Sequence, residues 1–137
     1  MADLSITAAN VVAGAGATVL HGGKAGATIT AGQIVYLDAS DRKYKLADAD
    51  SETAAIRLPS AVALNGASDG QPLSVLTEGP VTIGAPLTPG TAYYLSATPG
   101  GIAPVGDLTT GDYPTVIGIA TSASVLDIGI KASGVAL

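Results

Sequence analysis

The chain has 137 residues, a net charge of −5, no cysteine, tryptophan or phenylalanine, and a single histidine. This inventory excludes disulfide stapling, thiol chemistry and thiolate metal sites, and any serine triad would have to be built around His21 alone. The six Lys and Arg residues are scattered, with only Arg42-Lys43 and nearby Lys45 forming a small group, which is not the concentrated basic face that nucleic acid binding needs.

Residues 1–28 differ from the rest. Val11-Val12-Ala13-Gly14-Ala15-Gly16-Ala17-Thr18-Val19-Leu20 is small and flexible, with a few apolar anchors. The segment lacks the basic leader of a signal peptide, and Thr7, Asn10, Gly14, Gly16, Thr18 and His21 break it as a membrane span. It reads as an N-terminal arm, either an edge strand closing the chain's own barrel or a strand added to a neighbour's sheet. Farther along, Pro86, Pro89, Pro99 and Pro104 break the uncharged stretch from Pro80 to Gly106, so no membrane partner is expected.

From residue 29 onward, glycine and proline punctuate the chain at the spacing of short strands. The predicted strands are Ser5 to Thr7, Ala17 to Leu20, Ile34 to Asp38, Tyr44 to Ala47, Ala61 to Asn65, Gln71 to Thr77, Val81 to Ile83, Ala92 to Ser96, Ile102 to Pro104, Val116 to Ala120 and Val125 to Ala132. One short helix is a candidate over Ala47 to Ile56, against a loop. Residues 29–137 read as a single β domain of two related halves, about 29–79 and 87–137. Thr30-Ala31-Gly32-Gln33-Ile34-Val35-Tyr36-Leu37 returns as Thr88-Pro89-Gly90-Thr91-Ala92-Tyr93-Tyr94-Leu95, 58 residues on. The fold class is therefore all-β, a compact barrel or sandwich of short strands. Alanine and glycine supply much of the apolar content, so each residue gains little from burial and oligomerisation is expected to offset a weak core.

The chain offers little for chemistry. There is no Gly-x-Ser-x-Gly elbow, and one histidine cannot furnish a zinc site. Asp48-Ala49-Asp50-Ser51-Glu52 echoes the start of a calcium loop, but its sixth position is Thr53 and its twelfth Pro59, so it reads as a solvated acidic loop. Asp69-Gly70, Glu78-Gly79 and Gly111-Asp112 are turn chemistry. No catalytic residue, cofactor or metal is expected. Tyr93 and Tyr94 must point to opposite faces of one strand, so at least one of them is a candidate surface or subunit contact.

The run Asn10 to Ala17, then Gly26-Ala27-Thr28-Ile29-Thr30-Ala31-Gly32-Gln33-Ile34-Val35-Tyr36-Leu37-Asp38, is similar to the small capsid decoration (cement) proteins of tailed bacteriophages. So are Leu87 to Ser96 and Pro99-Gly100-Gly101-Ile102; comparable glycine-led strand pairs also occur in phage head-fibre and tail-fibre modules. The resemblance implies a β-barrel or β-tulip domain on the outer surface of the capsid, made in the host cytoplasm. It implies a homotrimer that bridges major capsid protein subunits, with contacts drawn from residues 1–28. The expected capsid or subunit contacts are Val11, Val12, Val19, Leu20 and Tyr93. The rival reading is a fibre or adhesin module that recognises a host glycan or protein.

Overall fold

A computed structural model describes residues 3–137. The chain is all-β. Its strands are β1 (Val12–Ala13), β2 (Thr18–Lys24), β3 (Ile34–Leu37), β4 (Tyr44–Leu46), β5 (Ala61–Ala63), β6 (Pro72–Thr82), β7 (Ala92–Leu95), β8 (Ile102–Pro104), β9 (Thr115–Ala120) and β10 (Val125–Ala132). Only short 3-10 turns interrupt them, at Ala8–Asn10, Ala54–Arg57 and Val105–Asp107.

The strands form one curled antiparallel sheet, half of a barrel, in the order β4-β3-β5-β6-β10-β9-β7-β8. β6 is its spine. Residues 75–76 of β6 pair with β5 and with β2, and residues 81–82 pair with β10 and with β1. Just after β2 the chain returns to β4, where Gly26 N donates to Tyr44 O at 2.7 Å.

The strand order is palindromic. Shifting each of β3, β4, β5 and β6 by four gives β7, β8, β9 and β10, and the same swap reverses the path. Individual hydrogen bonds repeat with it. Gly32 N donates to Ala63 O at 2.8 Å, and Gly90 N to Ala120 O at 2.7 Å. Ala63 N donates to Gln33 O, and Ala120 N to Thr91 O, both at 2.9 Å. The turns that set these registers close through Gln33 N to Thr30 O and Thr91 N to Thr88 O. Their third residues, Gly32 and Gly90, have φ of 92° and 80°, a region closed to residues with a β-carbon except at a cost.

Two apolar clusters hold the sheet. The larger contains Ile34, Tyr36, Val62, Leu76, Val81, Ile83, Tyr93, Leu95, Ile102, Ile117, Leu126 and Ile128. The smaller, on the opposite face of β3, β5 and β6, contains Ile29, Val35, Tyr44, Leu73 and Val75 with Ala25, Ala61, Ala63 and Ala67. Four alanines among its nine residues let the strands around it approach closely, which is how the small-residue composition is used.

Three expectations change. The predicted strands 71–77 and 81–83 are one continuous β6, because Gly79 takes φ 104° within the strand instead of reversing it. No helix covers 47–56. Asp48 Oδ1 accepts from Asp50 N at 3.3 Å and Ser51 Oγ from Thr53 N at 3.2 Å, local bonds that compete with a helix. Ser5 to Thr7 joins no strand and is held by isolated bonds.

Candidate interaction surface

The cross-strand register of β1, β6, β10, β9 and β7 sorts side chains into two faces. Val81, Leu126, Ile128, Tyr93 and Ala120 point into the larger core. Their neighbours form the outer face in three rows. Val12 lies beside Thr82, which lies beside Val125. Next come Pro80, Asp127, Ile119 and Ala92. Last are Lys131, Val116 and Tyr94. Within this face Val12 is 59% exposed and Ile119 51%.

The face is apolar with few charges. A cleft of about 470 Å³ crosses it, lined by Thr18, Glu78, Gly79, Ile119, Asp127 and Gly129. A shallower hollow of about 670 Å³ continues past Val12, lined by Ala9, Asn10, Thr82, Pro86 and Ser124. Glycines in the cleft and small side chains in the hollow bring the backbone to the surface, so an occupant meets peptide groups as well as methyl groups. Exposed large apolar side chains grouped on one sheet face beside such hollows make it a candidate contact surface.

The sequence-predicted contact residues divide between surface and interior. Val12 lies on the outer face, and Leu20 is 48% exposed on β2, away from the three rows. Val19 is half-buried. Val11 and Tyr93 both pack inside the chain. Val11 belongs to the larger core, and Tyr93 is 4% exposed with its hydroxyl accepting from Thr88 N at 3.0 Å. Tyr94 takes the outward place. Sequence reasoning also missed Ile119: in the unbroken apolar run Thr115–Ala120 nothing marks which side chain faces out.

Elsewhere the charged groups serve the fold. Lys45 Nζ bridges Asp38 at 2.7 Å and Asp41 at 3.0 Å. The hydrogen bond from Lys45, with those from Ser40, holds Asp38 down at about 2. Asp48 moves the other way, up to about 6, through burial, a hydrogen bond with Asp50 and the nearby Asp112 carboxylate. The Arg57 guanidinium stacks 3.7 Å from the centre of the Tyr113 ring and donates to Ser51 O. His21 Nδ1 and Ser74 Oγ share a hydrogen bond of 2.9 Å. Among the described residues no three acidic or histidine side chains are grouped to hold a metal ion, and no helix is long and apolar enough to cross a membrane.

No family model, curated protein or solved structure matches the chain.

Proposed function

We propose that the chain is a structural virion protein that decorates the outside of a tailed-phage head and stabilises the expanded capsid by bridging major capsid subunits. The observation that carries this reading is the outer face of β1, β6, β10, β9 and β7, with Val12 and Ile119 exposed and hollows beside both. The partner is the one implied by the resemblance of Asn10 to Ala17, Gly26 to Asp38, Leu87 to Ser96 and Pro99 to Ile102 to capsid decoration proteins.

The mechanism is thermodynamic linkage. A protein that binds the expanded lattice and not the unexpanded one stabilises the former by its binding free energy. At a hundredfold excess over the dissociation constant this is about 2.7 kcal/mol per site. Repeated over a shell, the term opposes the pressure of packaged DNA. Assembly as a homotrimer belongs to the same proposal, since each trimer would present the face three times and gain from simultaneous engagement.

A second reading, a fibre or adhesin module, draws on Tyr94, which pairs with Val116 on the outer face, is partly exposed, and carries an aromatic ring of the kind that stacks on a sugar. Co-sedimentation with expanded and unexpanded heads lacking their decoration protein separates the two. Saturable binding to expanded heads alone is the expected result; binding to host cells with none to heads would replace the proposal with the second reading.

A further inference from the structure

The segment Asp3 to Thr7 crosses the molecule as a strap outside the strand pairing. Leu4 N donates to Ile102 O at 2.8 Å, and Thr7 N donates to Gly84 O at 2.8 Å. Ser96 Oγ donates to the Asp3 carboxylate, at 2.8 and 2.7 Å from its two oxygens. Between these ties Leu4 and Ile6 pack against the larger core.

The groove beneath is shaped for this segment. Three turns far apart in the sequence each place a glycine where the strap lies. A β-carbon at Gly101 would stand 2.8 Å from Asp3 Oδ2, one at Gly32 would stand 2.7 Å from Ile6 Cγ2, and one at Gly84 would stand 2.5 Å from Thr7 O. All three lie inside normal contact distance: a side chain at Gly84 would strike the strap backbone, and one at Gly101 or Gly32 would displace the Asp3 or Ile6 side chain from its place. The groove thus selects a carboxylate at one end, two aliphatic side chains in alternation and a backbone donor at the other end.

The link to the rest of the chain is slight. Ala8–Asn10 is a single 3-10 turn, exposed throughout, with no side-chain cap, and the chain is anchored again at Val11, buried in the larger core, before β1 begins at Val12. A short connection of this kind between a docked segment and its acceptor is the arrangement in which identical segments exchange between copies.

We propose that the strap groove is a docking site between copies of this chain, in which residues 3–7 of one copy occupy the groove of another. The contacts that hold residues 3–7 are the same set in cis and in trans, so opening the connecting turn costs only its own bonds, Asn10 N to Thr7 O and Val11 N to Ala8 O. Concentration and the geometry of the 8–10 turn set the balance. The occupant is a second copy because the chain itself carries the acidic, alternately aliphatic segment that the groove fits. The inference stands whether or not the protein decorates a capsid.

The absence of native cysteine makes the test clean. Two full-length variants, D3C and S96C, are mixed at high concentration, held to equilibrate and oxidised mildly. Exchange predicts a disulfide joining one D3C chain to one S96C chain, well above the homodisulfides of either variant alone. A D3C/S96C double variant that closes within single chains, while the mixture gives no excess of the mixed disulfide, overturns the proposal. A second measurement does not rely on cysteine. Isotope-labelled and unlabelled wild-type protein, mixed at high concentration, should show intermolecular contacts from the Ile6 methyls to Gly32 and Val11. Their absence, with the intramolecular contacts present, also overturns it.

Discussion

Replacing Asp48 by Asn should stabilise the protein at neutral pH. Burial, the hydrogen bond with Asp50 and the Asp112 carboxylate together raise the Asp48 pKa from 3.8 to about 6. Between those values the folded chain holds the proton that the unfolded chain releases, so stability falls as pH rises through the window and stays lower above it. At about 1.36 kcal/mol per pKa unit the full effect is at most about 3 kcal/mol. Asp48 is partly exposed, and solvent screening brings the expected gain for D48N down to about 1 kcal/mol. For a chain of this length that is a rise in Tm of about 4 °C. Asn keeps the Oδ1 that accepts from Asp50 N, so the local turn is preserved. Asp38, held at about 2, contributes stability above its unfolded value that is lost only as pH falls toward 2, outside this window. Thermal unfolding followed by circular dichroism at about pH 4.5 and about pH 7.5 measures the difference. A pH dependence in D48N equal to that of the wild type, or a Tm for D48N below that of the wild type at the higher pH, would refute the reasoning.

Other substitutions probe packing and register. Leu76→Ala, at a fully buried position in β6, should cost about 2–5 kcal/mol in denaturant unfolding, a large share of the stability of a core built from small side chains. Gly118→Ala would drive a β-carbon into the Asp127 carbonyl, part of the β10 backbone. It should cost about 1–3 kcal/mol, and an unaltered midpoint would contradict the close β9–β10 approach. Tyr93→Phe removes the hydroxyl that accepts from Thr88 N and should cost about 1 kcal/mol, whereas Tyr94→Phe on the outer face should change stability little.

Much of the architecture was legible because the chain marks its turns. Gly32 and Gly90 stand at corresponding places and take the same left-handed conformation, and the strands that follow them, β3 and β7, begin as the spacing required. The Gly79 signal misled because glycine opens a positive φ without dictating a reversal; β6 uses it to run on, and the hydrogen bonds to neighbouring strands decide. The acidic run after Ala47 carried helix-start residues, yet their short side chains bond their own backbone first.

The surface was harder to read. Alternation told that Tyr93 and Tyr94 face opposite ways but not which faces in; the pairing of Ala92 with the outward Ile119 is what turns Tyr93 inward. Val12 was legible as an apolar residue in a poorly anchored segment. Ile119 was not, because Val116, Ile117 and Ile119 look alike in sequence and only pairing with Ala92 and Asp127 turns the last outward.

The central claim is that the outer face carrying Val12 and Ile119 binds the expanded head. Ile119→Asp places a charge in the middle of that face without touching the core. Co-sedimentation of wild-type and I119D protein with expanded heads is the direct measurement, with matched Tm values as the control for folding. The account predicts saturable binding by the wild type and a loss of at least about tenfold in affinity for I119D, the equivalent of about 1.4 kcal/mol. Equal binding by the two proteins, or no binding by the wild type, would contradict it.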